Sequence, residues 1–426
     1  MISPEFAHIL IRTIIAISIA LMLIRPRGIA EAYWIGGGVA LLLGLRLITP
    51  KLALRGAAES LDVVLFLIGM MLISELASEQ GVFDWLSGFA VHNANSSCFR
   101  LFALVYLVGT AVTVFLSNDA TAVVLTPAIL TAVRKAKVQP LPYLFACAFI
   151  ANAASFLLPI SNPANLVVFH DAMPPLGRWL LAFGIPCLLS IVVTFWILRW
   201  TFRKELSQTI DHAVEAKPLT ANGKLVLAGI AVMIAVLLAA SSLGWDLGLP
   251  TCVAAIAVTA FVCLKERANP LPLTRGISWE TLALVAGLFI MVDAIESIGA
   301  LRHTEAWLAW AQHLGLGPGE FVTGFAVGIA NNLVNNLPLG LIVGSTVHAA
   351  HASGPLADAV LIGVDLGPNL SITGSLATIL WLIALRKEKL EVSFWDFFKV
   401  GVVAMPAAML ASLGGAILMH VLFGVS

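Results

Sequence analysis

The chain has 426 residues, no net formal charge, 60% hydrophobic residues and only 11% charged ones. Soluble domains carry about 25% charged residues, so an ordinary globular protein is excluded, and the absence of basic excess excludes a nucleic-acid binder. Cys98, Cys147, Cys187, Cys252 and Cys263 are scattered without C-x-x-C spacing, which indicates neither a disulfide framework nor a zinc site, and no cofactor motif is present.

The first apolar stretch, about 7–24, reads as a retained membrane helix, because Met1–Phe6 holds no Lys or Arg and no small-residue cleavage pattern precedes Arg25. Others follow at about 31–49, 61–79, 99–116, 120–133, 140–169 and 176–198. After a polar linker at 201–222 a second series runs through 224–241, 248–264, 280–298, 318–334, 337–350, 356–384 and 394–423, displaced by roughly 217 residues. The match extends to single residues. Asp62, Gly69, Glu75 and Gly81 recur as Glu280, Gly287, Asp293 and Gly299, each 218 further on. Later the offset shortens to 213, which sets Asn152 and Ser161-Asn162 opposite Asp365 and Gly374-Ser375.

The segment at 120–133 is short for a span of about 20 residues. With 99–116 it flanks the polar tip Ser117-Asn118-Asp119, so 99–135 reads as a re-entrant hairpin, and 318–350 as its counterpart. Each half (1–200 and 223–426) then crosses five times, and an odd number inverts the second half relative to the first. The expected fold is therefore an all-α polytopic membrane protein: two inverted repeats of five transmembrane helices, each with a re-entrant hairpin (99–135, 318–350) and a broken helix (140–169, 356–384). With the linker cytoplasmic, inner segments collect Arg25, Arg27, Arg134, Lys135, Lys137, Arg199, Arg203, Lys204, Lys217, Lys224, Lys265, Arg267, Arg275, Arg386, Lys387 and Lys389. Outer segments hold only Arg46, Lys51, Arg55, Arg178 and Arg302. That asymmetry follows the positive-inside rule and sets both termini outside, with Lys51 and Arg55 on the wrong side. Trp34, Trp196, Trp200, Trp279, Trp381 and Trp395, at segment ends, suit an interfacial aromatic belt.

Unpaired amides and carboxylates are costly in hydrocarbon and persist there mainly where they line a cavity. The first tip offers Ser117, Asn118 and Asp119; the first broken helix offers Asn152, Ser155, Ser161, Asn162 and Asn165, with Pro159 and Pro163 unwinding it near 158–163. The second tip offers Asn331, Asn332, Asn335 and Asn336; its broken helix offers Asp365, Asn369, Ser371, Thr373, Gly374, Ser375 and Thr378, with Gly367, Pro368 and Gly374 supplying the break. Ser155, Ser371 and Thr378 are served equally well by bonds to their own backbone. Asp119 and Asp365 stand out. A carboxylate at midplane must be paired, neutralised or exchanging a proton, and no Lys or Arg lies near either in sequence. Glu75, Glu79, Asp293 and Glu296 sit towards helix ends, where a solvated role suffices; Asp62 and Glu280 read as caps of their own helices. His170 and His348 read as interfacial.

Leu116–Pro127 (LSNDATAVVLTP), NNLP at 335–338 and above all DLGPNLSITGSLATILW at 365–381 resemble bacterial arsenite/antimonite efflux permeases of the ArsB type. These belong to the ion-transporter superfamily, with the dicarboxylate carriers and the melanosomal P protein; the resemblance covers essentially the whole chain. It implies export of trivalent arsenic and antimony hydroxides across the bacterial inner membrane, driven by the proton gradient and, in some members, by a docked soluble arsenite-stimulated ATPase. Asn118, Asp119, Asn335, Asn336 and Asp365–Thr378 match the family's pattern. Asn152 departs from it, where aspartate is more usual, which alters the number of titrating groups. The SNT signature of the dicarboxylate carriers is replaced by SND and SNP. An uncharged trihydroxide needs hydrogen-bond donors and acceptors, which amides and hydroxyls provide, and not a cationic clamp.

Proton coupling is accordingly expected at Asp119 and Asp365, and substrate contact at the tip and break residues. The alternative is a carrier of another small solute or anion, with sodium as the coupling ion. An intramembrane protease is disfavoured, since neither H-E-x-x-H nor G-x-G-D occurs on an apolar helix; a passive channel is the remaining class.

Overall fold

The computed structural model describes residues 3–170, 173–210, 218–352 and 354–424. The first half contains α1 (Pro4–Ile24), α2 (Glu31–Gly44), α3 (Pro50–Glu59), α4 (Leu61–Glu79) and α5 (Val82–His92). A hairpin follows, made of α6 (Cys98–Phe115), a π-helical turn at Ala120–Leu125 and α7 (Thr126–Lys135). Next come α8 (Leu141–Ala153), a 3-10 turn at Pro159–Ser161, α9 (Pro163–Val168), α10 (Leu176–Thr201) and the short α11 (Arg203–Leu206). Lys217 and the centre of the 201–222 linker lie outside the described residues.

The second half runs in the same order. It contains α12 (Ala221–Ser242), α13 (Gly248–Glu266), α14 (Trp279–Ser297), α15 (Arg302–His313), α16 (Pro318–Val334) and α17 (Asn336–Ala349). Then follow α18 (Gly354–Leu366), 3-10 turns at Gly367–Asn369 and Ile372–Gly374, α19 (Leu376–Lys387) and α20 (Phe394–Phe423). Seven described helices are long and apolar enough to cross a membrane alone, and α14 with α15 forms a further apolar pair bent by 83°. The chain is an all-helical, multi-pass membrane protein.

Several elements differ from the sequence reading. The apolar stretch at 31–49 yields a helix only to Gly44, and the region of Lys51 and Arg55 is a helix, α3, in which Arg55 Nε meets Glu59 Oε1 at 2.7 Å. Pairing with Glu59 neutralises Arg55, one of the two residues that depart from the expected charge asymmetry. α5 and α15 were not foreseen, since at 11 and 12 residues both are too short to span a membrane. Asp62 caps another helix rather than its own: its Oδ1 accepts the Gly248 N–H at 2.6 Å, where α13 begins with unsatisfied donors. Trp381 is not in an interfacial belt. It is fully buried, with its ring 6.0 Å from both Phe145 and Phe397, while Trp196, Trp200, Trp279 and Trp395 are exposed.

The repeated glycines have matching jobs. A Cβ on Gly69 would lie 2.8 Å from the Thr251 backbone, where α4 crosses α13; one on Gly287 would lie 2.6 Å from Ile35 Cγ2, where α14 crosses α2. Both are close helix approaches that a side chain would block. Gly81 and Gly299 turn the chain after α4 and α14 with φ of +70° and +64°, the left-handed region glycine enters without steric cost. α4 and α14 run in opposite directions. Ser278, at the start of α14, donates its N–H to Met71 Sδ at 3.4 Å, and Gly276 abuts the Glu75 carboxyl near the end of α4. At the other end, Gly56, just ahead of α4, abuts Ile290 and Asp293 late in α14. The two longest helices, α10 and α20, pack along each other, each with an internal proline, Pro186 and Pro406.

Candidate functional site

The first hairpin turns over using its own side chains. Ser117 Oγ accepts the Ala120 N–H at 3.0 Å, and Asn118 Oδ1 accepts the Asp119 N–H at 2.9 Å, replacing helix bonds lost at the turn. Pro127 has no N–H to offer the preceding turn, and the backbone adapts as a π-helical segment in which Thr126 Oγ1 donates to the Thr121 carbonyl at 2.9 Å. Such segments are frequent at functional sites. Asp119 is left with a carboxylate that no described donor reaches.

That carboxylate lines a cavity of about 130 Å³. Its walls are Met70, Met71, Ser74 and Glu75 of α4; Ser117 and Val123 of the hairpin; Pro163 of α9; Ser278 and Thr281 at the start of α14; and Leu376 and Leu380 of α19. Ser74 is buried and its hydroxyl has no hydrogen-bond partner among the described residues. Ser278 and Thr281 share a hydrogen bond of 2.7 Å between their hydroxyls. Among the described residues no Lys or Arg lines this space.

Asp365 has a different setting. It is 0% exposed and does not line the Asp119 cavity. Ser155 Oγ lies 2.7 Å from its Oδ2, and Asn162 Nδ2 donates to its Oδ1 at 2.9 Å, so the carboxylate ties α18 to the break of the first half. Asn152 Nδ2 donates to Asn369 Oδ1 at 2.9 Å, and Asn369 Nδ2 to the Phe149 carbonyl at 3.1 Å, joining the two breaks again. Asn165 holds the first break closed, its Nδ2 lying 2.9, 3.3 and 3.2 Å from the carbonyls of Ser155, Leu158 and Pro159. Ser161 Oγ donates to the Val114 carbonyl at 2.9 Å. Asn162 Oδ1 caps α9 at Ala164, and Ser375 Oγ caps α19 at Thr378.

The second tip is tied down in the same way. Asn332 Nδ2 donates to the Gly328 and Gly367 carbonyls at 2.8 and 3.0 Å, and its Oδ1 accepts from Ser371 Oγ at 2.7 Å. Thr373 Oγ1 donates to the Asn332 carbonyl at 2.9 Å, and a Cβ on Gly374 would strike Pro368 Cα at 2.5 Å. Asn331 Nδ2 reaches the Val364 carbonyl at 2.5 Å. Asn335 turns the chain at φ +79°, and the buried Asn336 Oδ1 lacks a partner among the described residues.

Of the residues singled out from sequence, Ser117 and Asp119 line the cavity; Asn118 shapes the same tip. Asn152, Ser161, Asn162, Asn165, Asn332, Asn335, Asn369, Ser371, Thr373, Gly374, Ser375 and Thr378 brace the breaks and the second tip, Asn336 is buried there, and none of them lines it. Ser74, Glu75, Ser278 and Thr281 were not assigned to a site, although the recurrence of Glu75 as Asp293 at an offset of 218 was a signal pointing there. Another unforeseen buried carboxylate, Asp358 on α18, meets His420 Nε2 of α20 at 2.9 Å.

Comparison with known proteins bears on this architecture. A family model described as citrate transporter (CitMHS) matches residues 6–364. An arsenical pump membrane protein of Yersinia enterocolitica is 26% identical over 411 residues, covering 92% of this chain and 94% of that protein. The arsenical pump membrane protein of Escherichia coli K12 is 28% identical over 350 residues, 79% of this chain and 81% of that one. Among solved structures, the YdaH transporter of Alcanivorax borkumensis, described as having an unusual topology, superposes with a TM-score of 0.57 at 13% identity, covering 89% of each chain. That likeness concerns the fold.

Proposed function

The chain belongs to the citrate-transporter (CitMHS) family, and from that premise we propose that it is a proton-coupled secondary transporter exporting arsenite and antimonite across the bacterial inner membrane. The observation that carries the reading is the unpartnered Asp119 carboxylate at the hairpin tip, facing a cavity with a second carboxylate, Glu75, and the unpaired Ser74 hydroxyl. The names of the arsenical-pump relatives support the substrate class.

The chemistry follows from the donor set. Trivalent arsenic and antimony hydroxides are neutral triols whose O–H groups donate to an ionised carboxylate and whose oxygens accept from a hydroxyl such as that of Ser74. Once Asp119 takes a proton it loses acceptor capacity, and the substrate loses its strongest partner. Proton and substrate thus compete for one carboxylate, and that competition couples their opposite movements. Asp365, the other proton-coupling candidate, acts in this reading by locking the broken helices together, with Asn162 and Ser155 as its partners.

In the same proposal the two halves, 1–200 and 223–426, are inverted repeats, a reading supported by the opposed directions of α4 and α14. The linker at 201–222 is cytoplasmic, where a soluble ATPase would dock, and both termini are periplasmic. The Asp119 cavity then opens towards the cytoplasm. The family description suggests a carboxylate anion as an alternative cargo, but a cavity with two carboxylates and no lining Lys or Arg among the described residues suits a neutral triol better. The test is uptake of radiolabelled arsenite into everted vesicles. Acidifying the lumen should drive it, and an uncoupler should abolish the stimulation; uptake indifferent to both, or citrate taken up in its place, refutes the reading.

A further inference from the structure

A second cavity, of about 140 Å³, lies beside the end of α14. Its walls repeat those of the Asp119 cavity. Met71, Ser74, Glu75 and Val123 line the first; Phe289, Val292, Asp293 and Leu341, each 218 residues further on, line the second. Even the glycine contact recurs: a Cβ on Gly276 would lie 2.5 Å from Glu75 Oε2, and one on Gly56 would lie 3.2 Å from Asp293 Oδ2. Because α4 and α14 run in opposite directions, the two cavities sit at opposite ends of this helix pair.

The contents differ at one telling position. Residue 119 corresponds at the same offset to Leu337, so the second hairpin brings no carboxylate to its cavity. The protonatable groups there come from the walls: Glu59 with its partner Arg55 on α3, Asp293 and Glu296 on α14, His348 on α17, and His170 just after α9. Asp293 is distinguished among them because no described N–H or hydroxyl donates to its buried Oδ2, while its carboxyl lies against that of Glu59. An unpartnered carboxylate oxygen in a space lined by a second carboxylate, Glu59, has room to carry a proton that comes from water.

We propose that Asp293 is the proton-exchange group of a second cavity, open to the membrane face opposite the Asp119 cavity and related to it by the internal repeat. A proton taken from water on that face becomes the carboxyl O–H of Asp293 and returns to water as the carboxylate re-forms. This inference rests on proton coupling. It adds where protons are exchanged on the outer face, by a residue that touches no substrate in the Asp119 cavity.

Everted vesicles with independently buffered lumen and medium test it, because the lumen then contacts the outer face. In the unmodified protein, arsenite uptake should rise with lumen acidity by up to about tenfold per pH unit on the limiting flank. Asp293→Asn should flatten that dependence to less than about twofold while the response to medium pH persists. A variant that follows lumen pH as the unmodified protein does overturns the assignment of Asp293 alone. If Asp293→Asn fails to reach the membrane, Glu59→Gln provides the second reading, since removing the neighbouring carboxylate should displace the midpoint of the lumen-pH profile; an unmoved midpoint overturns the inference. An unmodified protein insensitive to pH on both faces overturns proton coupling, and this inference with it.

Discussion

Asp119 and Asp365 sit in the same kind of sequence and in opposite kinds of surroundings. Asp119 is at a hairpin tip, with no donor on its carboxylate and a cavity in front of it. Asp365 is at the end of α18, wholly enclosed, with a hydroxyl and an amide directed at its two oxygens. Two acids equally conspicuous in the chain, one half-buried and one fully buried, thus divide into one available to solvent-borne species and one committed to its neighbours. Burial alone does not mark a transport group; an unfilled bonding capacity next to open space does.

The strongest challenge to that division is a pair of variants. Asp119→Asn should cut uncoupler-sensitive arsenite uptake by about a hundredfold or more, from the lower bound of the range for removing a positioned acid–base group upwards, with thermal melting in detergent unchanged. Asp365→Leu should instead lower stability by about 1–3 kcal/mol, because the Asn162 amide loses its acceptor. Asp365→Asn should recover most of that loss, since the introduced amide still has an oxygen to accept from Asn162. If Asp365→Asn melted normally yet lost coupled uptake, the proton would belong at Asp365 and the contrast would fail.

Asn165→Ala probes the enclosed side further. It strips an amide shared among three carbonyls of the break, and a loss of about 1–3 kcal/mol is expected, read as a lower melting midpoint. The helix crossings compare the two halves. Gly69→Ala meets the rigid Thr251 backbone and should cost about 1–3 kcal/mol. Gly287→Ala meets the Cγ2 methyl of the fully buried, β-branched Ile35, which yields less readily than a flexible side chain but more than backbone, and should cost about 1–2 kcal/mol, less than Gly69→Ala. Equal melting losses would show that the crossings yield alike.

Much of this architecture is written locally in the chain. Apolar run length, the proline pair at 159 and 163, the polar tips and the 218-residue recurrence are properties of short windows or of their spacing, and the corresponding helices, breaks and turns follow from them. The site was less legible. Its walls come from α4, the start of α14, α9 and α19, segments far apart in the chain, and no pattern within one window encodes that meeting. The polar residues of the breaks misled for a related reason. Unwound backbone exposes its own carbonyls and amides, and Asn165, Asn332 and Ser161 are occupied in satisfying them. Asp62 illustrates the same point: its place at the start of α4 suggested a local cap, yet it serves α13, far along the chain. α5 and α15 escaped notice because runs of 11 and 12 residues fall below the length that marks a membrane span.

Pro186 and Pro406, each inside one of the two longest helices, deprive the carbonyl four residues earlier of its usual backbone donor. A rod missing one rung is softer there than elsewhere. Because the two rods lie side by side and Ser412 Oγ donates to the Pro186 carbonyl at 2.9 Å, a flexure started in either one is felt by its companion near the middle of the bundle.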